Sequence, residues 1–231
     1  AAGQFLARHL AGMGEAVSVA LFVGFWLLWA QWVHLSPVIT RLSGDFVGFW
    51  SAGQLALAGN AAGAYRMESH AAAELALHGD PGWLYVAFFY PPLFLLLCAP
   101  LALLAYTQAL TVWLGASCAA YVLAVRALVV DRRVWILALG YPAVMANAGY
   151  GQNGFLSTAL LGGAGLWLDR RPVLAGLCLG CLAYKPQLGV IVPLALAVTG
   201  RWAVFAAASL TVLGLALLTS LLFGVEVWGA F

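Results

Sequence analysis

The sequence predicts an all-α protein whose helices cross a membrane several times. Of its 231 residues, 65% are hydrophobic and 8% are charged, and the mean hydropathy is +0.98, whereas soluble domains carry about 25% charged residues. The charges are also clustered, which leaves several long runs without Asp, Glu, Lys, Arg or His. This composition excludes a disordered chain, a nucleic-acid-binding protein and an ordinary cytosolic enzyme, and the net charge of +2 indicates no polyanionic partner.

The charge-free runs locate the membrane spans. A charge at the bilayer centre costs about 2.5–3.5 kcal/mol, and a spanning helix needs roughly 20 residues. On this basis about seven spans are predicted, some of them shortened. They are 16–33, 107–130, 134–149, 154–168, 172–184, 187–200 and 202–225.

Two of the runs contain a break in the middle. The turn sequence 149–154 interrupts the run 134–168, since glycine is unfavourable inside a helix and common at reversals. Lys185-Pro186-Gln187 interrupts the run 172–200 in the same way, because Pro186 cannot continue the preceding helix and disfavours the α conformation at Lys185. Each run is therefore predicted to form two short helices that meet at a turn sunk into the membrane.

Arginine placement sets the orientation, because positive residues are enriched on the cytoplasmic side. With the spans above, Arg8, Arg201 and the pairs at 132–133 and 170–171 all face the cytoplasm, provided that segment 91–104 dips into the membrane without crossing it. If 91–104 crosses, both pairs face outward, so we favour the dipping segment. Both helix breaks then lie on the outer side with the 36–90 loop. Broken helices are tolerated where they line a cavity, so the sequence predicts an outer cavity.

The first external loop, 36–90, carries helical signals of its own. Aromatic residues on one face predict an interfacial helix over about 46–58, with Trp50 near the lipid headgroups. A second helix is predicted over about 67–77, with Glu68 and Glu74 on a polar surface. Position alone leaves two interpretations of Asp45 open: the N-cap of the first helix, or a general base at the membrane surface.

A set of short motifs then adds a resemblance. Five stretches occur in order: Gly44-Asp45-Phe46 with Phe49-Trp50 and Ala52-Gly53, Phe89-Tyr90-Pro91-Pro92-Leu93, Tyr141-Pro142-Ala143 with Asn147, Gly151-Gln152-Asn153-Gly154, and Leu182-Ala183-Tyr184-Lys185-Pro186-Gln187. Together they resemble glycosyltransferase family 87, the bacterial relatives of polyprenyl-phosphate-mannose-dependent mannosyltransferases with the GT-C fold. The resemblance covers about residues 41–200.

The resemblance implies an integral enzyme of the bacterial inner membrane, with its site facing the periplasm. GT-C enzymes place a catalytic Asp in the first external loop, and Asp45 matches that position. Family members have more spans than the roughly seven predicted here, and the chain does not begin with Met. We therefore expect 1–231 to be a single transmembrane domain, the N-terminal part of a longer GT-C module or a truncated relative, with 36–90 as its first periplasmic loop.

The remaining site candidates follow from residue chemistry and the motifs. Lys185 is the only lysine and interrupts apolar sequence, so it is a candidate for the donor phosphate, with a snorkelling interfacial lysine as the alternative. Arg66 is a second, weaker phosphate candidate. Gln152 and Asn153 are candidates for sugar or acceptor binding, or they satisfy the backbone of their turn. Tyr90 and Gln187 complete the sugar or acceptor candidates.

Other residue types give weaker signals. His9, His34, His70 and His78 are scattered without metal-ligand spacing and are interpreted as interfacial, solvated or cytoplasmic. Packing explains the Cys178-x-x-Cys181 pair and the glycines at 162–165. The sequence therefore predicts no metal site and no cofactor.

The predicted function is transfer of a hexose, expected to be mannose, from a polyprenyl-phosphate donor to a lipid-linked or glycan acceptor, with inversion. The predicted partners are that donor, that acceptor, the lipid bilayer and other membrane proteins of a complex, but no nucleic acid. A non-catalytic scaffold subunit is the first alternative. A transporter is the second, because broken helices also suit transport.

Overall fold

The computed structural model describes residues 44–79, 82, 84–129 and 138–231, with scattered positions between 12 and 27. Most of the predicted span 16–33, the start of the span 134–149, Asp80 and the 132–133 arginine pair lie outside the described residues. All regular elements within the described ranges are helical. The prediction of an all-helical chain is confirmed for this part of the protein.

The described part of the predicted 36–90 loop contains two helices, α1 at Gly44–Leu57 and α2 at Met67–His78, with a 3-10 helix at Ala61–Tyr65 between them. Glycines with positive φ end both helices, Gly59 at +75° and Gly79 at +70°. These helices and their ends agree with the sequence prediction to within a few residues.

The predicted dipping segment is a short helical stretch. A 3-10 helix at Pro92–Phe94 continues into α3, Leu95–Ala102. At about 1.5–2 Å per residue these 11 residues extend about 17–20 Å, well short of the roughly 30 Å thickness of a bilayer core. The next helix, α4 at Tyr106–Leu128, has 23 residues and is long enough to cross.

Short helices follow in the second half of the chain. The predicted breaks at 149–154 and at Lys185-Pro186 are confirmed, and a further interruption at Val190 divides the helix predicted at 187–200. The helices are α5 Pro142–Gly149, α6 Gly154–Trp167, α7 Pro172–Cys181 with a 3-10 turn Leu182–Tyr184, α8 Pro186–Gly189, α9 Ile191–Val198, α10 Trp202–Phe223 and α11 Glu226–Ala230.

The largest hydrophobic core in the described ranges includes the external loop. Phe46 and Phe49 of α1 are buried against Phe94 and Trp113, and the ring of Tyr184 stacks on Phe94 with a centroid distance of 5.0 Å. Aromatic pairs of this kind contribute about 0.5–1.5 kcal/mol beyond their buried area. The core therefore fixes the start of α1 against α4 and the 182–184 turn.

Helices α7 and α10 pack closely because two glycines of α7 have no side chain at the contact. A Cβ atom on Gly180 would lie 2.8 Å from the carbonyl oxygen of Ala208, and one on Gly176 would lie 2.7 Å from that of Val204. Two small residues four positions apart let helix backbones approach closely, as in many membrane helix pairs. A Cβ on Gly162 would meet the side chains of Ala124 and Leu128 of α4, and one on Gly163 would meet Cys178, so the predicted packing role is confirmed for these two glycines; a Cβ on Gly165 would meet nothing within 4 Å.

The ends of the bundle differ in charge. Arg201, at the start of α10, forms an ion pair of 2.6 Å with Asp169, which follows α6. This contact places Arg201 beside the 169–171 turn, which carries Arg170 and Arg171. Since α6 runs toward this turn and α7 runs back from it, the 149–154 turn and Lys185 lie at the opposite end.

Two of the described helices are long and apolar enough to cross a membrane, Tyr106–Leu128 and Trp202–Phe223. Much of α10 is exposed, including Leu210, Leu217 and Leu221 at 69%, 62% and 73%. Large exposed apolar surfaces mark sites of contact with membranes or partners. The exposed side chains of α10 are therefore consistent with a lipid-facing helix.

Candidate functional site

Asp45 lies in the first turn of α1, which begins one residue earlier at Gly44. The N-cap interpretation of Asp45 is thus wrong, because the residue is inside the helix. A carboxylate in the first turn still interacts favourably with the helix dipole. The Asp45 Oδ2 atom accepts a hydrogen bond from the side-chain Nε2 of Gln152, so the carboxylate faces the 149–154 turn.

The turn that presents Gln152 is held by hydrogen bonds from three sides. The Gln152 N–H donates to the carbonyl of Asn147 at 2.9 Å, and the Gly154 N–H donates to the Asn147 side-chain oxygen at 2.7 Å. The indole N–H of the buried Trp113 donates to the Gly151 carbonyl at 2.9 Å. Gly151 itself has φ of +63°, a backbone conformation that favours glycine. The loop between α5 and α6 is thereby a fixed support for Gln152.

Lys185 lies between the 182–184 turn and α8, as the proline at 186 dictates. It is half-buried, and burial lowers the pKa of its ammonium group, while the negative charge of Asp45 acts in the opposite direction. Burial also raises the pKa of Asp45, and the charge of Lys185 lowers it. Asp45 and Lys185 therefore lie close enough for their charges to interact.

Two further polar groups lie beside this pair. Burial raises the pKa of Tyr90, the neighbouring Asn153 amide lowers it, and the charge of Asp45 raises it again. Asn153 is completely buried, and neither polar atom of its side chain has a hydrogen-bond partner of good geometry. A buried unsatisfied amide is costly, about 1–3 kcal/mol per group. The Asn153 side chain therefore lies inside the protein beside Tyr90.

An open cleft of about 450 Å³ lies beside Asp45 and Tyr90, whereas Gln152, Asn153 and Lys185 stand behind its wall. Three predicted site residues line it, Asp45, Tyr90 and Gln187, together with the ring of Tyr184 and the segment 85–90. A volume of this size lies within the range of small-molecule sites. The structure thus brings together Asp45, Gln152 and Lys185, and around them Tyr90, Asn153 and Gln187.

A second, apolar groove of about 210 Å³ adjoins the cleft. It is lined by leucines of α3, α6 and α10 and by Phe94 and Cys181. The side chain of Tyr184 lines both cavities, and its hydroxyl is hydrogen-bonded to Ser157 at 2.8 Å. The two cavities therefore meet at one fixed aromatic side chain.

Arg66 takes no part in lining the cleft. It is exposed and stands immediately before α2. Among the described residues, no group of three or more His, Cys, Asp or Glu side chains has the arrangement of a metal site. The cysteines at 98, 118, 178 and 181 are free thiols.

Two sequence interpretations in α2 are wrong. His70 and Glu74 were expected on solvated or interfacial surface, but both are completely buried. The reason is tertiary: the His70 ring packs against Tyr85 and Phe88, with centroid distances of 5.7 and 6.2 Å, and Glu74 accepts a hydrogen bond from the backbone of Val86. The segment 84–90 folds over the face of α2 that carries both residues.

Sequence reasoning gave no role to two other residues near the site. Tyr184 stands directly before Lys185 in a motif, but nothing in the sequence indicates that its ring separates two cavities. Trp113 lies within a predicted span, where an aromatic residue reads as ordinary packing. The one sequence feature that could have indicated its role is the indole N–H, since a buried Trp usually donates a hydrogen bond to an acceptor.

A comparison with protein families matches residues 88–231 to glycosyltransferase family 87. The match includes Tyr90, Gln152, Asn153, Lys185 and Gln187, and it begins after Asp45. It also continues beyond residue 200, where the sequence resemblance ended. Searches of curated proteins and of solved structures found no match. With the matched region covering more than half of the chain, we assign the protein to glycosyltransferase family 87.

Proposed function

We propose that the protein is the N-terminal part of a GT-C membrane glycosyltransferase that transfers a hexose, with mannose as the first candidate, from a polyprenyl phosphate. The acceptor in this proposal is a lipid-linked or glycan hydroxyl. The observation that carries the proposal is that Asp45 lines an open cleft whose wall also includes Tyr184 and Pro186, the two chain neighbours of Lys185. A base and a phosphate-binding cation are the two parts that this chemistry requires.

Asp45 is the proposed general base. Its carboxylate takes the proton of the acceptor hydroxyl while that oxygen forms a bond to the anomeric carbon. The bond from the anomeric carbon to the phosphate oxygen breaks, and its electron pair leaves with the polyprenyl phosphate. A phosphate is a stable leaving group and needs no protonation, so a single carboxylate suffices. One direct displacement inverts the anomeric configuration.

Lys185 is the proposed partner of the donor phosphate. It stands in the break between α7 and α8, and the charge of Asp45 acts on its ammonium group. A preorganised cation stabilises the charge that develops on the leaving phosphate. Arg66, which lies outside the cleft, remains a second phosphate candidate only if the longer protein or the ligand brings the phosphate toward α2.

The sugar and acceptor contacts are assigned to Gln152, Asn153, Tyr90 and Gln187. Gln152 already orients the Asp45 carboxylate, and its amide is within reach of a hydroxyl that approaches this base. Asn153 is completely buried, so in this proposal it acts through Tyr90, which lines the cleft beside it and whose hydroxyl can both donate and accept hydrogen bonds.

An amphiphilic donor suits the two cavities. The polar cleft would hold the phosphate and sugar, and the apolar groove beyond Tyr184 would hold the first isoprene units. Isoprenoid chains gain free energy from contact with leucine and phenylalanine side chains, at about 25 cal/mol per Å² of buried apolar surface. This arrangement supports a lipid-linked donor over a nucleotide sugar.

The outer, periplasmic side of a bacterial inner membrane is the proposed location of the cleft. Arg170, Arg171 and Arg201 lie at the other end of the bundle, and arginines are enriched on the cytoplasmic side. The short 92–102 stretch supports a segment that enters the membrane and returns. We retain about seven spans, the single domain over 1–231 and the periplasmic loop 36–90 as parts of the proposal.

A sugar-transfer assay with two kinds of donor tests whether the donor is a polyprenyl phosphate. The full-length protein, purified into liposomes, is supplied with a polyprenyl-phosphate hexose or with the nucleotide sugar of the same hexose, each with a membrane lipid extract that supplies acceptors. We expect sugar transfer from the polyprenyl phosphate alone, into a product with inverted linkage. Transfer from the nucleotide sugar would overturn the donor assignment. No transfer from either donor would favour a scaffold subunit.

A further inference from the structure

His70 and Glu74 form a buried polar pair behind the cleft. Both side chains are completely buried, and the His70 Nδ1 and Glu74 Oε1 atoms lie 3.7 Å apart. The other ring nitrogen, Nε2, is 3.0 Å from the carbonyl oxygen of Gly48. The second carboxylate oxygen of Glu74 accepts the backbone N–H of Val86 at 3.1 Å. Each member of the pair thus bonds to a different neighbouring segment.

Both backbone partners belong to the cleft. Gly48 and Val86 line its wall, and Gly48 is one helical turn beyond Asp45 in α1. The pair therefore joins α2 to the helix that carries the proposed base and to the 84–90 segment opposite it. Neither bond is a helix-capping or turn contact within α2 itself.

Gly48 is the point where the three segments meet. A Cβ atom at this position would lie 3.2 Å from the Val86 carbonyl oxygen, 3.6 Å from the His70 ring and 3.7 Å from Glu74. The absence of a side chain lets the 84–90 segment approach α1 this closely. The distance between these two walls of the cleft is therefore set at Gly48, the residue to which His70 is hydrogen-bonded.

A buried acid and histidine often add no net stability to a protein. Replacement of buried ionic pairs by apolar residues of similar volume is often neutral or stabilising. Apolar residues at 70 and 74 would fill the space between α2 and the segment 84–90, but they would leave the Gly48 carbonyl and the Val86 N–H without these partners. The polar pair instead fixes the positions of two backbone segments, because each of its hydrogen bonds forms with one particular backbone group.

We infer that His70 and Glu74 are positioning residues that hold the two walls of the cleft, at Gly48 and at Val86, and so set the place of the Asp45 carboxylate. This inference rests on the proposed function, since it assigns the pair to the reaction at Asp45. Neither residue touches the substrate in this account. Their effect reaches the reaction through α1 and through the 84–90 segment.

The protonation of the pair fits this role. Burial lowers the pKa of His70, and the hydrogen bond to Gly48 opposes that shift. Because a carbonyl oxygen only accepts, Nε2 of His70 carries a proton and donates a hydrogen bond to the carbonyl oxygen of Gly48. The neutral imidazole in this tautomer is sufficient for the contact, so the bond to α1 does not require the charged form.

The test replaces each side chain by one that keeps its hydrogen bond and by one that does not. His70→Gln retains a donor for Gly48, and Glu74→Gln retains an oxygen for Val86, whereas His70→Leu and Glu74→Leu retain neither. Glu68→Gln is the matched control, because Glu68 lies on the same helix and is exposed. Each variant is measured in the full-length protein, with Asp45→Asn in parallel.

Two readouts separate positioning from stability. The first is kcat/KM with a polyprenyl-phosphate hexose donor. The second is the pH at which kcat/KM falls to half on the acidic side, which depends on the pKa of Asp45 and therefore on the groups beside it, Lys185, Gln152 and Tyr90. We expect the leucine variants to lose about a hundredfold in kcat/KM, since a misplacement of about 1 Å has that effect, and to move the acidic limb. The glutamine variants and the control should remain within about tenfold of wild type.

Three outcomes are distinguishable. The inference is supported if kcat/KM falls in the leucine variants but not in the glutamine variants, and if all four variants unfold at the wild-type temperature. If His70→Leu and Glu74→Leu act like Glu68→Gln, or if all loss follows the folded fraction with an unmoved acidic limb, the inference is wrong. Full activity of Asp45→Asn would contradict the proposed function itself. If the leucine variants do not fold, His70→Asn and Glu74→Asn take their place, because their shorter amides cannot reach Gly48 and Val86; wild-type kcat/KM and an unmoved acidic limb in both would overturn the inference.

Discussion

The side-chain amide of Gln152 donates a hydrogen bond to the carboxylate of Asp45, although the two residues are 107 positions apart in the sequence. Asp45 belongs to the first turn of α1 and Gln152 to the turn between α5 and α6. This bond joins the external loop to the helical bundle at the group that we propose as the base.

Replacement of Gln152 by Leu removes this donor. A hydrogen bond to a charged group contributes about 1.5–3 kcal/mol, so kcat/KM should fall by roughly 10–100-fold. Since the amide stabilises the charged carboxylate, its loss also raises the pKa of Asp45 and moves the acidic limb of activity to higher pH. Gln108→Leu, at an exposed position of α4, is the control. Equal activity of the two variants would show that Gln152 does not support the base.

Replacement of Lys185 by Met removes the charge that lowers the pKa of Asp45. A base must be ionised, so activity declines as the pH falls through the pKa of Asp45. With the charge of Lys185 gone, the effect of burial on the carboxylate is less opposed, and the half-maximal pH should rise. Lys185→Arg keeps the charge and should keep the limb near its wild-type position. An acidic limb that is unchanged in Lys185→Met would mean that the two charges do not interact.

Replacement of Gly180 by Leu tests the close contact of α7 with α10. The new side chain has no room beside Thr211 and Ala208, and overpacking typically destabilises by about 1–3 kcal/mol. Gly165→Leu is the matched control, because a Cβ at position 165 meets nothing within 4 Å. Thermal unfolding in detergent should show a lower midpoint for Gly180→Leu only. Equal midpoints would contradict the helix contact.

Single cysteines test the proposed orientation. In a protein without its natural cysteines, cysteine is placed at position 171 or at position 187, both of which are exposed. A membrane-impermeant thiol reagent added to intact cells should label position 187 and leave position 171 unlabelled until the membrane is opened. Labelling of 171 from outside, with 187 protected, would reverse the proposed topology.

Much of the helical framework could be predicted from single residues. Pro186 and Gly151 mark the two breaks, because one removes a backbone donor and the other adopts a positive φ. The charge-free run around α10 gave its bounds to within two residues. Asp45 and Lys185 were singled out because charges are scarce, and the structure brings them close together.

The burial of His70 and Glu74 could not be predicted in the same way. A helix with Glu68, His70 and Glu74 has the composition of a solvated surface, and its burial depends on contacts with Gly48 and Val86 that no periodicity indicates. The N-cap interpretation of Asp45 was wrong for a smaller reason: the helix begins at Gly44, two residues earlier than the predicted start at 46. Tyr184 acquires its place between two cavities only when α3, α6 and α10 assemble.

The most direct test of the account is sugar transfer by Asp45→Asn in the full-length protein. Asparagine preserves the shape of the side chain but cannot take a proton from the acceptor hydroxyl, so the rate of transfer from a polyprenyl-phosphate hexose should fall by about 10²–10⁴-fold while the variant inserts and unfolds like wild type. Transfer at the wild-type rate by a normally inserted Asp45→Asn protein would contradict the assignment of Asp45 as the base.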